Sequence, residues 1–266
     1  MLDRFNRKIT YLRVSVTDRC NLRCIYCMPA EGIKLINHED ILSFDEIIEV
    51  CKTATSLGVS KIRITGGEPL VRKGILDLVK SISQIDGVKD LSMTTNGILL
   101  TKFASDLKQA GLNRVNISLD TLDPDEYKRI TRGGEITQVI QGIVAAKKAD
   151  LLPVKLNAVI YDRENTEMKD ALKQFAKDFG VQIRFISQMH LETGEFSVVE
   201  GGIGGDCSIC NRIRLTANGY IKPCLFSDDQ YSVRELGPKN AILKAVQFKP
   251  KEGIVCSKGD FYNIGG

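Results

Sequence analysis

Short runs rich in β-branched residues alternate with amphipathic stretches along most of the 266-residue chain. The runs predict six strands, at residues 11–16, 59–65, 90–94, 113–119, 154–160 and 181–186. The amphipathic stretches predict helices near residues 43–57, 73–85, 101–110, 137–149 and 166–179. Gly58, Gly111 and Gly180 stand at the ends of three helices, where glycine often adopts the left-handed conformation. Strands joined by helices pair in parallel, so the pattern predicts an α/β protein with a doubly wound sheet or a barrel.

Five of the predicted strands are polar on one face, and this pattern favours one of the two architectures. Fully buried parallel strands are usually unbroken apolar runs. The polar residues at alternate positions here are Arg13, Ser15, Lys61, Arg63, Asn116, Ser118, Lys155, Asn157 and Arg184. Because successive side chains point to opposite faces, the strands are expected to share a polar interior with helices outside. This favours a barrel-like sheet around a polar ligand, and the alternative is a set of solvated residues on edge strands.

Cations dominate this predicted interior. They are Arg13, Lys61, Arg63, Lys155 and Arg184, joined by Arg212 and Arg214 further along the chain. Buried cations are costly unless an anion neutralises them, and forked guanidinium groups suit a triphosphate. The alternative is pairing with Asp18, Asp120 or Glu68, which we expect for one or two of the cations. Arg212 and Arg214 stand two positions apart, so in an extended segment both side chains point to the same side.

The most informative feature of the chain is a cysteine triplet, Cys20, Cys24 and Cys27, in the run Thr-Asp-Arg-Cys-Asn-Leu-Arg-Cys-Ile-Tyr-Cys. Three thiolates spaced C-x3-C-x2-C leave one iron of a four-iron cluster without a protein ligand, whereas ferredoxins supply a fourth cysteine. An open iron can bind a small chelating molecule, which in this spacing is most often S-adenosylmethionine. Tyr26 suits stacking against the adenine of that molecule. Zinc ligation or chance is the alternative, although zinc sites usually have paired C-x2-C knuckles and a fourth ligand.

A second cysteine group, Cys207, Cys210 and Cys224, has the spacing C-x2-C-x13-C. By itself it is compatible with a zinc knuckle that lacks one ligand and equally with an iron–sulfur site. Next to the first group, an iron–sulfur cluster becomes the better interpretation. Cys51 lies on an apolar helical face, which predicts a core position. Cys256 is a candidate fourth ligand, although no partner motif surrounds it.

Composition narrows the class of protein. The chain is 43% apolar and 26% charged, as a globular protein is, and no apolar stretch is long enough to span a bilayer. The N-terminus lacks the apolar core of a signal peptide, so eight cysteines in this chain indicate reduced thiols and metal binding, not disulfides. The protein is therefore expected to be cytoplasmic. The net charge of +4 is too small and too dispersed to indicate nucleic acid.

The segment Gly66-Gly67-Glu68-Pro69 directly follows the second predicted strand. Alone, two glycines indicate only a tight turn. At the C-terminal end of a barrel strand, however, binding sites form, and glycines let a ligand approach the backbone. The segment is therefore a candidate site for the methionyl group of S-adenosylmethionine.

With these motifs in hand, the chain resembles the radical S-adenosylmethionine (SAM) superfamily and, within it, the GTP 3′,8-cyclase family. The resemblance runs from Tyr11 to Met189 and resumes at residues 207–224 and at Gly265-Gly266. Besides the first cysteine run, it rests on Lys-Ile-Arg-Ile-Thr-Gly-Gly-Glu-Pro-Leu, Thr-Thr-Asn-Gly, Asn-Ile-Ser-Leu-Asp-Thr-Leu and Ile-Thr-Arg-Gly-Gly. The first triplet indicates only the superfamily, whereas the second triplet with its Arg-x-Arg and the Gly-Gly ending is more specific.

The resemblance implies a lyase that uses two [4Fe-4S] clusters and SAM to convert GTP to 3′,8-cyclo-7,8-dihydro-GTP in molybdenum cofactor biosynthesis. It implies that the first cluster is held by Cys20, Cys24 and Cys27, and the second, whose open iron contacts guanine, by Cys207, Cys210 and Cys224. It assigns to the cofactor, beside Tyr26, the positions Gly66, Thr94, Ser118 and Met189. It assigns to GTP the positions Arg13, Lys61, Arg63, Lys155 and Arg184, and to catalysis Arg212 and Arg214.

The partners that the resemblance implies are GTP as substrate, an electron-donor protein and, by product hand-off, a downstream pterin-forming enzyme. Nucleic acid and membrane are not expected as partners. A homodimer is compatible with the sequence, which does not decide the oligomeric state.

The expected fold is an incomplete (β/α)6 barrel of the radical SAM type at residues 1–189, followed at residues 190–266 by a small C-terminal region with the second cluster. The segments 190–206 and 225–266 are shorter than the family usually has, and Ser187 replaces a carboxylate in the family's Phe-Ile-Glu-x-Met. Two alternatives remain open. One is a diverged paralogue that performs radical SAM chemistry on another nucleotide or a peptide, and the other is a non-catalytic iron- or zinc-binding module.

Overall fold

The computed structural model describes residues 1–161, 166–257 and 263 of the chain. The strands are β1 (Tyr11–Ser15), β2 (Lys61–Thr65), β3 (Asp90–Thr95), β4 (Arg114–Ser118), β5 (Lys155–Ile160), β6 (Gln182–Ser187), β7 (Arg212–Leu215), β8 (Tyr220–Lys222) and β9 (Tyr231–Ser232). The helices are α1 (Phe44–Ser56), α2 (Ile75–Ser83), α3 (Leu100–Gln109), α4 (Pro124–Thr131), α5 (Ile136–Lys148), α6 (Thr166–Asp178) and α7 (Val233–Gln247). The Gly265-Gly266 ending of the predicted motif lies outside the described residues.

The six predicted strands and five predicted helices are confirmed, with small shifts at their ends. Gly58, Gly111 and Gly180 have the positive φ angles expected of helix ends, at 98°, 96° and 60°. Helices α4 and α7 and strands β7 to β9 were not predicted, although α4 carries a recognisable start signal. The side chain of Asp123 accepts a hydrogen bond from the Glu126 amide at 2.7 Å, directly before a proline in the first turn.

The strands form one sheet in the order β6-β5-β4-β3-β2-β1-β7-β8-β9. From β6 to β7 all neighbours are parallel, whereas β8 and β9 run antiparallel beyond β7. Within the described residues, the outermost strands β6 and β9 do not pair with each other. The sheet is therefore open, which confirms the prediction of an incomplete barrel.

The apolar face of the sheet packs against the helices and forms the core. Its strand residues are Leu12, Val14, Ile62, Ile64, Leu91, Met93, Val115, Ile117, Leu156 and Ala158. The helices contribute residues such as Ile47, Leu78 and Val139. Cys51 belongs to this core, as predicted, and burial raises the pKa of its thiol to about 12. This packing leaves the polar face of the same strands turned away from the helices.

The C-terminal part of the chain continues the same sheet. Strand β7 pairs in parallel with β1, and Ile213, Ile221 and Ala241 share the core of the preceding elements. The division into regions at residue 189 stays a prediction. Among the described residues, no helix combines the length and apolar character needed to cross a membrane.

Candidate active site

Strand register aligns the predicted cations in rows across the polar face of the sheet. Arg13 of β1 lies between Arg63 of β2 and Arg214 of β7. Like charges directly opposite one another destabilise a sheet, so a bound anion would make this row more favourable. The neighbouring row consists of Lys61, Tyr11 and Arg212.

One cavity of about 320 Å³ collects these residues. Its walls include the seven predicted cations, Arg13, Lys61, Arg63, Lys155, Arg184, Arg212 and Arg214. They also include the second cysteine group, Cys207, Cys210 and Cys224, together with Met189. Small-molecule sites commonly have volumes of about 300–1,000 Å³. The structure thus brings the predicted substrate residues and the second cysteine group to one ligand-sized cavity.

Burial and mutual repulsion disfavour the charged forms of the basic side chains that line the cavity. Burial, reinforced by the charges of Arg214 and Arg63, holds the pKa of Arg13 well below its ordinary value. Burial and then Arg212 lower the pKa of Arg214 to about 10, and burial and then Arg184 lower the pKa of Lys155 to about 8. Cations that depress one another in this way favour a bound anion, which would reverse the effect.

The carboxylates predicted as alternative partners are engaged elsewhere. Asp18 forms an ion pair with Arg19 at 3.0 Å and accepts a hydrogen bond from the Ile36 amide at 2.6 Å. Glu68 accepts hydrogen bonds from the Thr95 hydroxyl at 2.8 Å and from backbone amides, and burial raises its pKa to about 7. These contacts of Asp18 and Glu68 are with groups other than the seven predicted cations, and they order the loops near the first cysteine triplet.

The first cysteine triplet lies in the loop between β1 and α1. The backbone amides of Cys27 and Met28 both donate to the Cys24 carbonyl at 3.0 Å, which makes a tight turn. Burial raises the pKa of the Cys24 thiol to about 12, and negative charge on Asp120, Cys27 and Cys20 adds to the rise. Thiols that disfavour each other's ionisation are stabilised as thiolates by a bound cation.

The first cysteine triplet offers three thiols from one loop, which is the ligand type that holds an iron–sulfur cluster with one open iron. The eight cysteines, all in the described part of the chain, form no disulfide. The reduced state of the thiols stays a prediction.

The Gly66-Gly67 turn packs closely against the loop that follows β1. A Cβ atom at Gly66 would lie 2.7 Å from the Thr17 carbonyl oxygen, and one at Gly67 would lie 2.3 Å from that of Arg19. The Gly67 amide donates to the Thr17 carbonyl at 2.6 Å, and the Glu68 amide donates to the Arg19 carbonyl at 2.8 Å. The glycines therefore let the segment pack closely against the loop that leads into Cys20. Binding of the cofactor at Gly66 stays a prediction.

Thr94 and Ser118 lie on the polar face beyond the rows of cations. Thr94 of β3 faces Asn116 of β4, and the buried Thr94 Oγ1 and Asn116 Oδ1 have no hydrogen-bond partner among the described residues. Ser118 stands two positions after Asn116 on the same face and faces Asn157. Orphaned buried polar atoms are rare in proteins, so this arrangement suits a polar ligand such as a nucleoside.

Tyr26 is held between two side chains. Its hydroxyl bonds to the carboxylate of Asp120, whose pKa burial raises to about 6, and its ring centroid lies 6.0 Å from that of Tyr161. Asp120 also accepts a hydrogen bond from the Val159 amide at 2.8 Å. The ring of Tyr26 is thus fixed next to the first cysteine triplet, and adenine stacking stays a prediction.

The second cysteine group lies close to a buried lysine that the sequence did not reveal. Lys249 is 1% exposed, and its ammonium donates to the carbonyls of Arg212 at 2.8 Å and Pro223 at 2.6 Å. Burial acts to raise the pKa of the Cys210 thiol, but the charge of Lys249 and contacts with Arg212 lower it overall. Lys249 therefore joins the two segments that carry Cys210 and Cys224 and favours thiolate at this position.

Cys256 is buried at 1% exposure, and the Lys222 ammonium donates to its sulfur at 3.6 Å. It packs with Leu225 and Phe226 beside the cavity wall. Its assignment as a fourth ligand stays a prediction.

Two charged residues at the start of β3 and β4 complete the cavity. Asp90 and Arg114 line it and form an ion pair at 2.5 Å. The sequence held a signal for both, because the alternation that places Asn116 and Ser118 on the polar face also includes Arg114. The same holds for Asp90 and the residues at alternate positions after it.

Solved structures with the same fold are similar to this chain at low sequence identity. The crystal structure of Streptococcus suis SuiB bound to precursor peptide SuiA matches 93% of this chain and 66% of that chain, with a TM-score of 0.67 and 16% identity. Native anSMEcpe with bound AdoMet matches 92% of this chain and 82% of that chain, with a TM-score of 0.63 and 15% identity. These similarities show that the chain shares its overall fold with both proteins.

Sequence comparisons place the chain more narrowly. The profile of the Radical SAM superfamily matches residues 14–176. A protein of Petrotoga mobilis named GTP 3′,8-cyclase is 41% identical over 304 positions, covering 94% of each chain. Relatives with the same name are 42% identical in Moorella thermoacetica, covering 95% of this chain and 94% of the relative, and 39% identical in Clostridium botulinum, covering 100% of both. The chain therefore belongs to the radical SAM superfamily and, within it, to the GTP 3′,8-cyclase family.

The relatives contain internal residues that this chain lacks. The alignment with the Clostridium botulinum protein covers all of both chains and runs over 319 positions, although this chain has 266 residues. The difference is in line with the short segments noted in the sequence.

Proposed function

We propose that this protein is a GTP 3′,8-cyclase, a lyase that converts GTP to 3′,8-cyclo-7,8-dihydro-GTP in molybdenum cofactor biosynthesis. The observation that carries the proposal is the meeting of the seven predicted cations and the second cysteine group in one cavity of about 320 Å³. The family membership supports the same reaction, because the relatives that cover nearly the whole chain are named for it.

The first cluster and SAM are assigned to separate sets of residues. Cys20, Cys24 and Cys27 hold the first [4Fe-4S] cluster, and Tyr26, Gly66, Thr94, Ser118 and Met189 bind SAM. When bound, these cofactors would supply a 5′-deoxyadenosyl radical to take the 3′ hydrogen of the GTP ribose. C3′ would then bond to guanine C8, and the resulting nucleotide radical would take up one electron and one proton to give the product. The orphaned polar atoms of Thr94 and Asn116 support a nucleoside at this end of the sheet.

The triphosphate is assigned to the basic rows. Arg13, Lys61, Arg63, Lys155 and Arg184 extend over β1, β2, β5 and β6 on the polar face. Phosphate oxygens would satisfy the buried Arg184 Nε, which has no hydrogen-bond partner among the described residues, and would relieve the repulsion that lowers the pKa of Lys155. Bidentate contacts from guanidinium groups would also fix the position of the ribose relative to the cofactor.

The second cysteine group is proposed to hold a second [4Fe-4S] cluster whose open iron meets the guanine. Cys207 and Cys210 reach the cavity from the segment before β7, and Cys224 reaches it from the segment after β8. Strand β7 sends Arg212 and Arg214 to the same face. These arginines are the proposed catalytic residues, because they lie where they can orient the nucleotide and stabilise developing charge. The protein's own task is positioning and exclusion of water, since the cofactors carry the bond chemistry.

Two partners follow from the reaction. An electron-donor protein must supply one electron for the reductive cleavage and one for the cyclised nucleotide radical, because the chain itself supplies neither. The cyclised nucleotide requires a downstream pterin-forming enzyme, to which it would be handed off.

The test is anaerobic incubation of the iron- and sulfide-reconstituted protein with dithionite, SAM and GTP. We expect 5′-deoxyadenosine and a cyclised nucleotide by mass spectrometry. Cys24→Ala should abolish both products, whereas Cys210→Ala should abolish the nucleotide product and leave deoxyadenosine. Product formed from another nucleotide or a peptide, but not from GTP, would reassign the protein to a paralogue. A protein with zinc and no iron would be a binding module instead.

A further inference from the structure

Arg114 is a cavity residue that neither the sequence nor the family resemblance assigned. It is the first residue of β4 and faces Ser92 of β3, which in turn faces Arg63 of β2. Arg114 therefore continues the row that contains Arg13, Arg63 and Arg214. On its other side lie the strands of Lys155 and Arg184, so it stands between the two groups of cations.

The guanidinium of Arg114 is held at one end only. Its Nη2 donates to Asp90 Oδ2 at 2.5 Å, and the two side chains are 16% and 21% exposed. Its Nη1 is buried and has no hydrogen-bond partner among the described residues. A buried donor of a charged group without an acceptor is unfavourable, so this end of the side chain is prepared for a ligand acceptor.

The ion pair does not remove the positive charge of Arg114 from the cavity. After burial, the charges that lower the pKa of Arg184 begin with Arg114. Arg114 also contributes to the lowered pKa of Arg63 and of Lys155, after the larger effects of burial. The carboxylate of Asp90 thus orients the guanidinium without cancelling its field at the neighbouring cations.

We propose that Arg114 binds the polyphosphate chain of the nucleoside triphosphate through Nη1, and that Asp90 acts as its positioning residue. The proposal rests on the proposed function, because it adds a residue to the same substrate site. The competing explanation is that Arg114 only neutralises Asp90 and makes no contact with the ligand.

The experiment compares Arg114→Gln, Asp90→Asn and the double variant, each reconstituted with iron and sulfide under anaerobic conditions. Binding of GTP, inorganic triphosphate and guanosine is measured by titration calorimetry. Loss of a charge-assisted hydrogen bond predicts about 10-fold or greater weakening of GTP and triphosphate binding by Arg114→Gln, with guanosine binding unchanged. Asp90→Asn is expected to weaken the binding of GTP and triphosphate to a smaller degree, because the guanidinium of Arg114 loses its orientation.

The double variant separates the two explanations. If Arg114 binds phosphate, the double variant stays as weak as Arg114→Gln, since the contact is missing in both. If Arg114 only neutralises Asp90, removal of both charges restores wild-type binding, and Asp90→Asn alone tightens it. Either of these two results overturns the proposal.

A matched control is Arg234→Gln. Arg234 forms a similar pair with Glu46 at 2.7 Å, but it lies outside the residues that line the cavity. Its substitution should leave the affinity for all three ligands unchanged, and equal weakening by this variant would count against Arg114. Wild-type protein that binds neither GTP nor triphosphate would refute the proposed function together with this inference. Normal wild-type binding with a normal Arg114→Gln variant would refute the inference alone.

Discussion

Replacing Arg214 by methionine is expected to stabilise the ligand-free protein while it impairs nucleotide binding. Arg214 is 5% exposed and lies opposite Arg13 in the parallel pair β1–β7. Burial, followed by the charge of Arg212, lowers its pKa to about 10. Methionine keeps an unbranched apolar stem of similar length in the same space and removes the charge.

The magnitude follows from the pKa of Arg214. A free guanidinium has a pKa of about 12.5, and each pKa unit corresponds to about 1.4 kcal/mol. The lowered value of about 10 therefore represents roughly 3 kcal/mol of unfavourable free energy for the charged form in the folded state. A base with a lowered folded pKa carries this penalty at every pH below that value, so it is fully present at neutral pH. In a chain of this size, 1 kcal/mol shifts Tm by about 2–4 °C, which gives a rise of roughly 6–12 °C.

The assay is anaerobic thermal unfolding of cluster-loaded protein, with and without GTP, after measurement of the iron content. Wild type should gain more stability from GTP than Arg214→Met does, because the bound anion relieves repulsion that the variant lacks. Lys249→Met is the matched control. Its ammonium is bonded to two backbone carbonyls, so its removal leaves orphaned acceptors and should lower the Tm. An Arg214→Met protein less stable than wild type would refute the reasoning.

Three further predictions follow from the same site. Burial and neighbouring cations lower the pKa of Lys155 to about 8, so the ligand-free amine loses its proton as pH rises through that value. With phosphate bound beside it, the amine is expected to keep its proton. GTP affinity should therefore fall from pH 7 to pH 9, and calorimetry should show proton uptake on binding. Lys155→Met should flatten this dependence of affinity on pH, and an unchanged dependence in the variant would show that Lys155 is not its cause. Arg212→Ala should leave uncoupled 5′-deoxyadenosine formation largely intact and lower the cyclised product by about 100-fold or more, because positioning is lost and not radical generation. Equal loss of both products would argue against that role. Gly67→Ala should lower iron occupancy at the first cysteine triplet and leave that of the second cysteine group intact, because the added Cβ would lie 2.3 Å from the Arg19 carbonyl oxygen. Electron paramagnetic resonance of the two sites tests this, and wild-type spectra at both sites would contradict it.

Local pattern in the sequence determined much of this protein. Alternation of Arg13 and Lys61 with apolar neighbours predicted a polar face on parallel strands, and the lining of the cavity confirms it. The helix ends at Gly58 and Gly111 were likewise readable, because positive φ angles favour glycine wherever they occur. Such features depend on residues a few positions apart, which is the range over which sequence period and backbone conformation are linked.

Only the tertiary structure decided which side chains meet. Arg13 and Arg214 are far apart along the chain, and they become neighbours because β7 adds to the edge of β1 in one register. The Asp90–Arg114 pair and the buried Lys249 also join distant segments, and only the folded chain shows the close packing of Gly67 against Arg19. Strand order and register are set by how the apolar faces pack in three dimensions, and that packing is not encoded in any short stretch of sequence.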